Sequence, residues 1–130
     1  MPYADAGIVG DLCRIYYDRY EVSLMIAETA SVGNVARRHK WMNESVAQVI
    51  DSRSRGIPVV GYTWWPMLAL VTWAYRQQGL HDLSHYILQM GLWDFDRQGD
   101  DPIRRLETPL IEVYRSLVES DLNRIGEIRR

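Results

Sequence analysis

Leu24-Met25-Ile26-Ala27-Glu28-Thr29-Ala30 and, further along, Ile57-Pro58-Val59-Val60-Gly61-Tyr62-Thr63-Trp64-Trp65 decide the reading of this 130-residue chain. Residues 22–28 form a short apolar run without a helical period, as expected of a strand buried on both faces. Residues 57–63 read as a second buried strand, rich in β-branched side chains. Pro58 lies near its start, where a residue without an N–H is tolerated. Between the two, Ser31 to Asn34 contains Gly33 and reads as a loop. Met42, Val46, Val49, Ile50 and Arg53 then recur at helical spacing and predict a helix over 36–53, stopped by Gly56.

Outward from this centre, Val9, Leu12, Ile15, Tyr16 and Arg19 predict a helix over 8–19, with Asp11 early and basic residues late. Beyond Trp65, Met67, Leu70, Val71, Ala74 and Tyr75 suggest a short helix. Leu80, Leu83, Ile87 and Leu88 suggest another, ended by Gly91. Gly91 to Asp96 reads as a brief extended piece, and Arg97 to Pro102 as a polar turn with Gly99. The last helix, over 109–123, sets Leu110, Val113, Tyr114, Leu117 and Val118 on one face. Strands alternating with helices imply a parallel sheet. The expected fold is α/β: two parallel strands with flanking helices in a single unit, residues 1–130. Two strands do not make a self-sufficient sheet, so association with further strands is expected.

The apolar fraction of 47% supports a real core, and the net charge of −2 gives no reason to expect nucleic acid or an anionic membrane as partner. Arg37-Arg38-His39-Lys40 and Arg53-Ser54-Arg55 read as the polar face and last turn of a helix. The single cysteine, Cys13, excludes an internal disulfide and fits a buried small hydrophobe in a reducing compartment. No signal peptide and no membrane span is read, and a cytoplasmic location is expected. His81 and His85 lie four apart, and neither they nor His39 gains the further ligand a metal wants; no metal and no cofactor is expected.

Five Trp and eight Tyr stand against one Phe. Their flat apolar faces with polar edges suit sugar rings, and suit an interface equally. Glu28, a carboxylate at a strand tip beside a strand ending in paired tryptophans, has two readings. One is a carboxylate hydrogen-bonded at the start of a loop. The other is a carboxylate acting on a sugar, with Trp65 as a stacking wall. Alternation sends Trp64 to the other face together with Tyr62.

Taken in order, these segments resemble the C-terminal third of a retaining glycoside hydrolase barrel, similar to the family 1 β-glucosidases. Residues 19–30 look like that family's seventh strand, whose Thr/Ala-Glu-Asn/Thr motif carries the nucleophile; here it is Ala27-Glu28-Thr29. Arg38 is similar to an arginine that follows the motif at the start of the next helix. Residues 56–65 look like the eighth strand, Gly-hydrophobic-x-Val-x-Gly-Tyr-x-x-Trp-Ser. Trp73-Ala74 matches a later Trp-Ala pair, and Gly91 to Asp96 resembles the segment before the final helix. The resemblance implies a partial (β/α) barrel completed by a homo-oligomer or a complementary barrel chain. It implies a β-glucosidase-like glycoside hydrolase acting on O-glycosyl carbohydrate, with Glu28 as nucleophile. Trp65, Trp64, Tyr62, Trp73 and Arg38 would contact substrate. Thr72, Ala69-Leu70 and Pro66 depart from the family's polar sugar-binding positions and weigh against glucose-type recognition. The acid/base glutamate of such a barrel belongs to its fourth strand, outside the matched segments. Glu44, mid-helix, and Glu21, at the opposite strand end, do not replace it. The alternative reading is a non-catalytic oligomeric module that keeps part of the fold.

Overall fold

The computed structural model describes residues 5–77, 82–97, 99 and 101–128, with side chains described as far as Asp121. Helix α1 (Gly7–Tyr20) leads into strand β1 (Leu24–Thr29), helix α2 (Val35–Ser54) and strand β2 (Val59–Trp64). β1 and β2 pair in parallel, with Leu24 opposite Val59 and Thr29 opposite Trp64. α2 is the crossover that parallel strands require. Its start is fixed by Asn34, whose side-chain oxygen accepts from the Arg37 N–H at 2.9 Å, satisfying a donor the helix cannot use internally. Its end is marked by Gly56 at φ +86°, a left-handed turn that favours glycine.

The stretch after Trp65 differs from its helical reading. Leu70–Val71 is a two-residue strand, β3, pairing antiparallel with β4, Ile87–Leu88. Trp73–Arg76 and Leu83–Tyr86 are single 3-10 turns. Leu80 and His81, assigned to the second of those helices and to the histidine pair, lie outside the described residues. Both segments carry apolar residues at three- and four-residue steps, yet long-range strand pairing claims their backbone groups. The expected extended piece is strand β5 (Trp93–Asp96), which pairs antiparallel with β6 (Arg104–Glu107). Of the turn between them, residues 98 and 100 lie outside the description, and Gly99 has φ +57°. Helix α3 (Leu110–Ile128) closes the order and runs beyond its expected end.

Two buried clusters hold these elements. In the first, Val9 and Cys13 of α1 meet Val49 of α2 and Ile57 and Val59 of the second strand segment. In the second, Met42, Trp64, Leu92 and Leu110 join α2, the end of β2, the start of β5 and α3. Met42 is wholly buried; burial of such a side chain contributes about 1.5 to 3 kcal/mol. Burial pushes the Cys13 thiol above its ordinary range, against a hydrogen bond with Ser52 that pulls it down.

Both strands read as buried on both faces, and here the structure differs. α2 covers one face; on the other, Met25 is 60% and Val60 is 66% exposed. An apolar face on both sides of a parallel sheet is the composition of a strand meant to carry a second layer.

Candidate active site

The C-terminal ends of β1 and β2 lie side by side. The Trp65 N–H donates to the Thr29 carbonyl at 3.2 Å, which puts the Glu28–Thr29 and Trp64–Trp65 pairs at one end of the sheet. Thr29 faces α2, because its hydroxyl accepts from the Trp41 indole N–H at 2.9 Å. Trp64 faces the same way: it is buried, and its indole N–H donates to the Met90 carbonyl at 3.1 Å. Glu28 and Trp65 are exposed, and alternation from the inward Thr29 and Trp64 turns both to the other side.

Strict alternation would not produce this. Leu24 and Ile26 pack into the core, so period two would turn Glu28 inward with them. Between the Ile26–Tyr62 and Thr29–Trp64 pairs, however, β1 spends three steps and β2 only two. The extra residue turns Ala27 and Glu28 both outward. β2 carries its own extra residue between Val59 and Gly61, after which Tyr62 and Trp64 face inward and Trp65 outward. Such irregularities re-aim side chains and recur beside active sites.

Behind the strand ends stands a wall fixed by three consecutive carbonyls. Gln89 O accepts from the Gly33 N–H at 2.9 Å, Met90 O from Trp64, and Gly91 O from Arg38 Nη1 at 2.6 Å. The loop after β1, the end of β2 and the first turn of α2 are thereby tied to one short segment. The Gln89 side chain extends the tie, donating to Phe95 O at 2.6 Å and accepting from the Phe95 N–H at 3.1 Å. Gly91 is the close-approach point: a methyl there would sit 2.7 Å from the carbonyl oxygens of Leu68 and Met67.

Arg38 corrects its reading as part of a solvated basic face. Its side chain is 0% exposed, and its guanidinium forks onto Asp94, with Nη1 2.7 Å from Oδ1 and Nη2 donating to Oδ2 at 3.0 Å. No guanidinium surface is left for a ligand, so Arg38 supports the wall. Arg53 departs too: half-buried, it pairs with Asp121 at 2.8 Å and donates through Nε to Val59 O at 2.6 Å.

Tyr62 also faces inward. Ser45 Oγ donates to Trp41 O at 2.7 Å, so at 2.8 Å from the phenol it accepts the Tyr62 O–H. Burial pushes the Tyr62 phenol up to about 12. Trp73 sits on the 3-10 turn after β3, 76% exposed, with the Arg76 guanidinium 4.2 Å from its ring centroid. Among the expected site residues, the structure therefore puts Glu28 and Trp65 on the open side and Trp64 and Arg38 in the wall, with Tyr62 turned inward onto Ser45 of α2. The supports missed in the sequence are Trp41, Gln89 and Asp94. Trp41 alone had a signal: it lies one turn after Arg38, on a helix leading directly from the Glu28 loop.

Glu28 stands at the end of an open groove of about 500 Å³ that runs along β1 and is walled by Ile8, Leu12 and Tyr16 of α1. Among the described residues no three His, Cys, Asp or Glu side chains gather as a metal site. No described helix is long and apolar enough to cross a membrane.

No family model and no curated protein matches the sequence. Solved structures do. Aphid myrosinase superposes with a TM-score of 0.73 at 18% identity, over 92% of this chain and 25% of that one. The family 1 β-glucosidase from Thermotoga maritima gives 0.71 at 16%, over 88% and 26%. The β-glycosidase from the hyperthermophile Thermosphaera aggregans gives 0.63 at 24%, over 81% and 20%. The chain thus spans about a quarter of the length of the proteins it matches. At these identities the likeness shows the fold: a partial segment of a glycosidase (β/α) barrel.

Proposed function

We propose that this chain supplies the nucleophile-bearing end of a retaining glycoside hydrolase barrel. Glu28 attacks the anomeric carbon of a bound glycoside while the bond to the leaving oxygen breaks, and a second carboxylic acid gives that oxygen its proton. Water, activated by the same second group, then attacks the glycosyl ester and restores Glu28. Retention needs the two carboxyl groups about 5 to 5.5 Å apart, and the second comes from a complementary barrel chain. Trp65 offers its ring to the sugar. Thr29, held by Trp41 and Trp65, fixes the backbone beside Glu28, and Arg38 and Trp64 hold the wall behind it. No metal or cofactor takes part.

The observation that carries this reading is the extra residue in β1, which turns Glu28 to the open face beside Trp65. Parallel barrels collect their chemistry at this end of their strands. The test is hydrolysis of an aryl β-glucoside by the chain combined with a complementary barrel chain. Glu28→Gln should lower the rate by on the order of a thousandfold or more, the scale of losing a nucleophile. Equal rates for the two proteins would remove Glu28 from the mechanism.

A second reading, a non-catalytic oligomeric module, is favoured by Ala69. This position, polar in the resembled family, is a buried alanine here. Binding of a glucoside without turnover by the combined chains would support it.

A further inference from the structure

The two outer edges of the β1–β2 sheet are built differently. The Leu24 N–H donates to Pro58 O at 2.9 Å, so alternation along the ladder turns the Val59 carbonyl to the outer edge of β2. There it is capped by Arg53 Nε, and Arg53 is held by Asp121 of α3. A charged side chain set on an edge restricts further pairing there to a strand that can meet the charge pair. The same alternation turns the Met25 N–H and C=O to the outer edge of β1, and that edge opens into the 500 Å³ groove.

The flanking helices differ in the same sense. On α1, Val9 and Cys13 are buried in the core, yet Ile8, Leu12, Ile15 and Tyr16 stand 44–55% exposed. At 3.6 residues per turn the two sets form one apolar arc roughly 160° wide, and only the end that holds Val9 and Cys13 is covered. On the other flank, Ile50 and Val118 are the only large apolar side chains of α2 and α3 that are exposed among those described. Among the described residues, Glu28 is the one charged residue lining the groove.

Resting on the barrel reading above, we propose that the α1–β1 groove is the seat of a further βα unit from a complementary barrel chain. Its strand pairs in parallel with the free edge of β1, and its helix lies on Ile8, Leu12, Ile15 and Tyr16. The partner strand is apolar, since a charge entering the groove would lose water without gaining a partner. A copy of this chain is the wrong occupant. Head-to-tail copies would bring the Arg53–Asp121 pair against an apolar edge, stripping its water. Two-fold copies would set β1 antiparallel to β1, against the parallel order of the pair already formed. The matched structures give the proportion: about three quarters of those chains lies outside the segment this chain resembles.

The probe is the Thermotoga maritima β-glucosidase lacking the segment that matches this chain, with that segment resupplied as positive control. The mixture with this chain is sized by light scattering. The expected result is a one-to-one complex in which the Met25 amide is protected from hydrogen exchange. Leu12→Lys and Met25→Lys, both at exposed positions, should weaken it at least tenfold, whereas Ile50→Lys should leave it intact. Circular dichroism of each variant alone separates lost docking from lost folding. The proposal is overturned if the control segment rescues the probe and this chain does not. It is equally overturned if this chain forms a multimer of itself that Leu12→Lys disperses. A complex that forms but cleaves no aryl β-glucoside leaves the groove assignment standing and defeats the role of Glu28.

Discussion

Replacing Arg38 by Met tests whether the wall behind the strand ends is fastened as the structure indicates. The substitution keeps length and removes the charge. It leaves the Asp94 carboxylate, 22% exposed, without its cation and the Gly91 carbonyl without its 2.6 Å donor. Breaking a buried pair from one side costs about 3 to 5 kcal/mol, because the remaining charge is stranded. Residual water at Asp94 puts this case at the low end, and the orphaned carbonyl adds about 1 kcal/mol. A loss of about 3 to 4 kcal/mol is a large share of a domain's usual 5 to 15, roughly speaking. With a urea m-value of about 2 kcal/mol/M, the unfolding midpoint should fall by about 1.5 to 2 M. Arg38→Lys should recover only part of this, since a point charge does not span two carboxylate oxygens and a carbonyl together. The decisive assay is the double-mutant cycle with Asp94→Leu, where the pair's coupling should reach about 2 kcal/mol or more. A coupling below about 0.5 kcal/mol, or an unchanged midpoint in Arg38→Met, would refute the reasoning.

Tyr62 gives a pH dependence. Its phenol is pushed up to about 12 in the fold against about 10 in an unfolded chain. The unfolded state therefore loses its proton first, and the stability present below pH 10 is lost as pH rises towards 12, by at most about 2.7 kcal/mol. Urea midpoints at pH 9 and pH 11 should fall more steeply for the wild type than for Tyr62→Phe, and parallel falls would contradict the assignment. Gly91→Ala should be severe, because its methyl meets main chain. Retreat would break the Leu92 N–H to Met67 O bond of 2.8 Å. A loss of about 3 kcal/mol is expected, seen as a melting temperature lower by about 10 °C, while an unchanged melting curve would show that the segment has room to move.

The long periodic elements were legible in the sequence because local pattern and tertiary burial agree there. α1, β1, α2 and β2 begin and end within a few residues of their expected places. β3 and β4 were hidden because Leu70–Val71 and Ile87–Leu88 have only two residues each and exist through one antiparallel pairing. Their neighbours happen to repeat at helical spacing, so the pattern misled. β6 gave no signal: Arg104-Arg105-Leu106-Glu107 is exposed throughout and is a strand only because β5 lies beside it. The resemblance singled out Arg38, but its burial was concealed, since one buried guanidinium within a basic run looks like the rest of the run until Asp94, distant in sequence, is placed against it.

The placement of Glu28 shows where period-two reasoning stops. Alternation counted from Leu24 and Ile26 sends Glu28 into the core, and alternation counted from Val59 sends Trp65 there too. A one-residue slip exchanges the faces of everything beyond it, and here each strand slips once. Between Leu24 and Thr29 and between Val59 and Trp64 the count is the same, so the ends stay level while both outward residues arrive on one face. Gly61 lets the β2 slip pass, for a Cβ there would press on the Met25 side chain at 3.2 Å. With only one of the two irregularities, the carboxylate and the indole would stand on opposite sides of the sheet. The candidate site therefore depends on a matched pair of departures from regular strand geometry, each of which costs ladder hydrogen bonds and neither of which a self-contained two-strand unit would need.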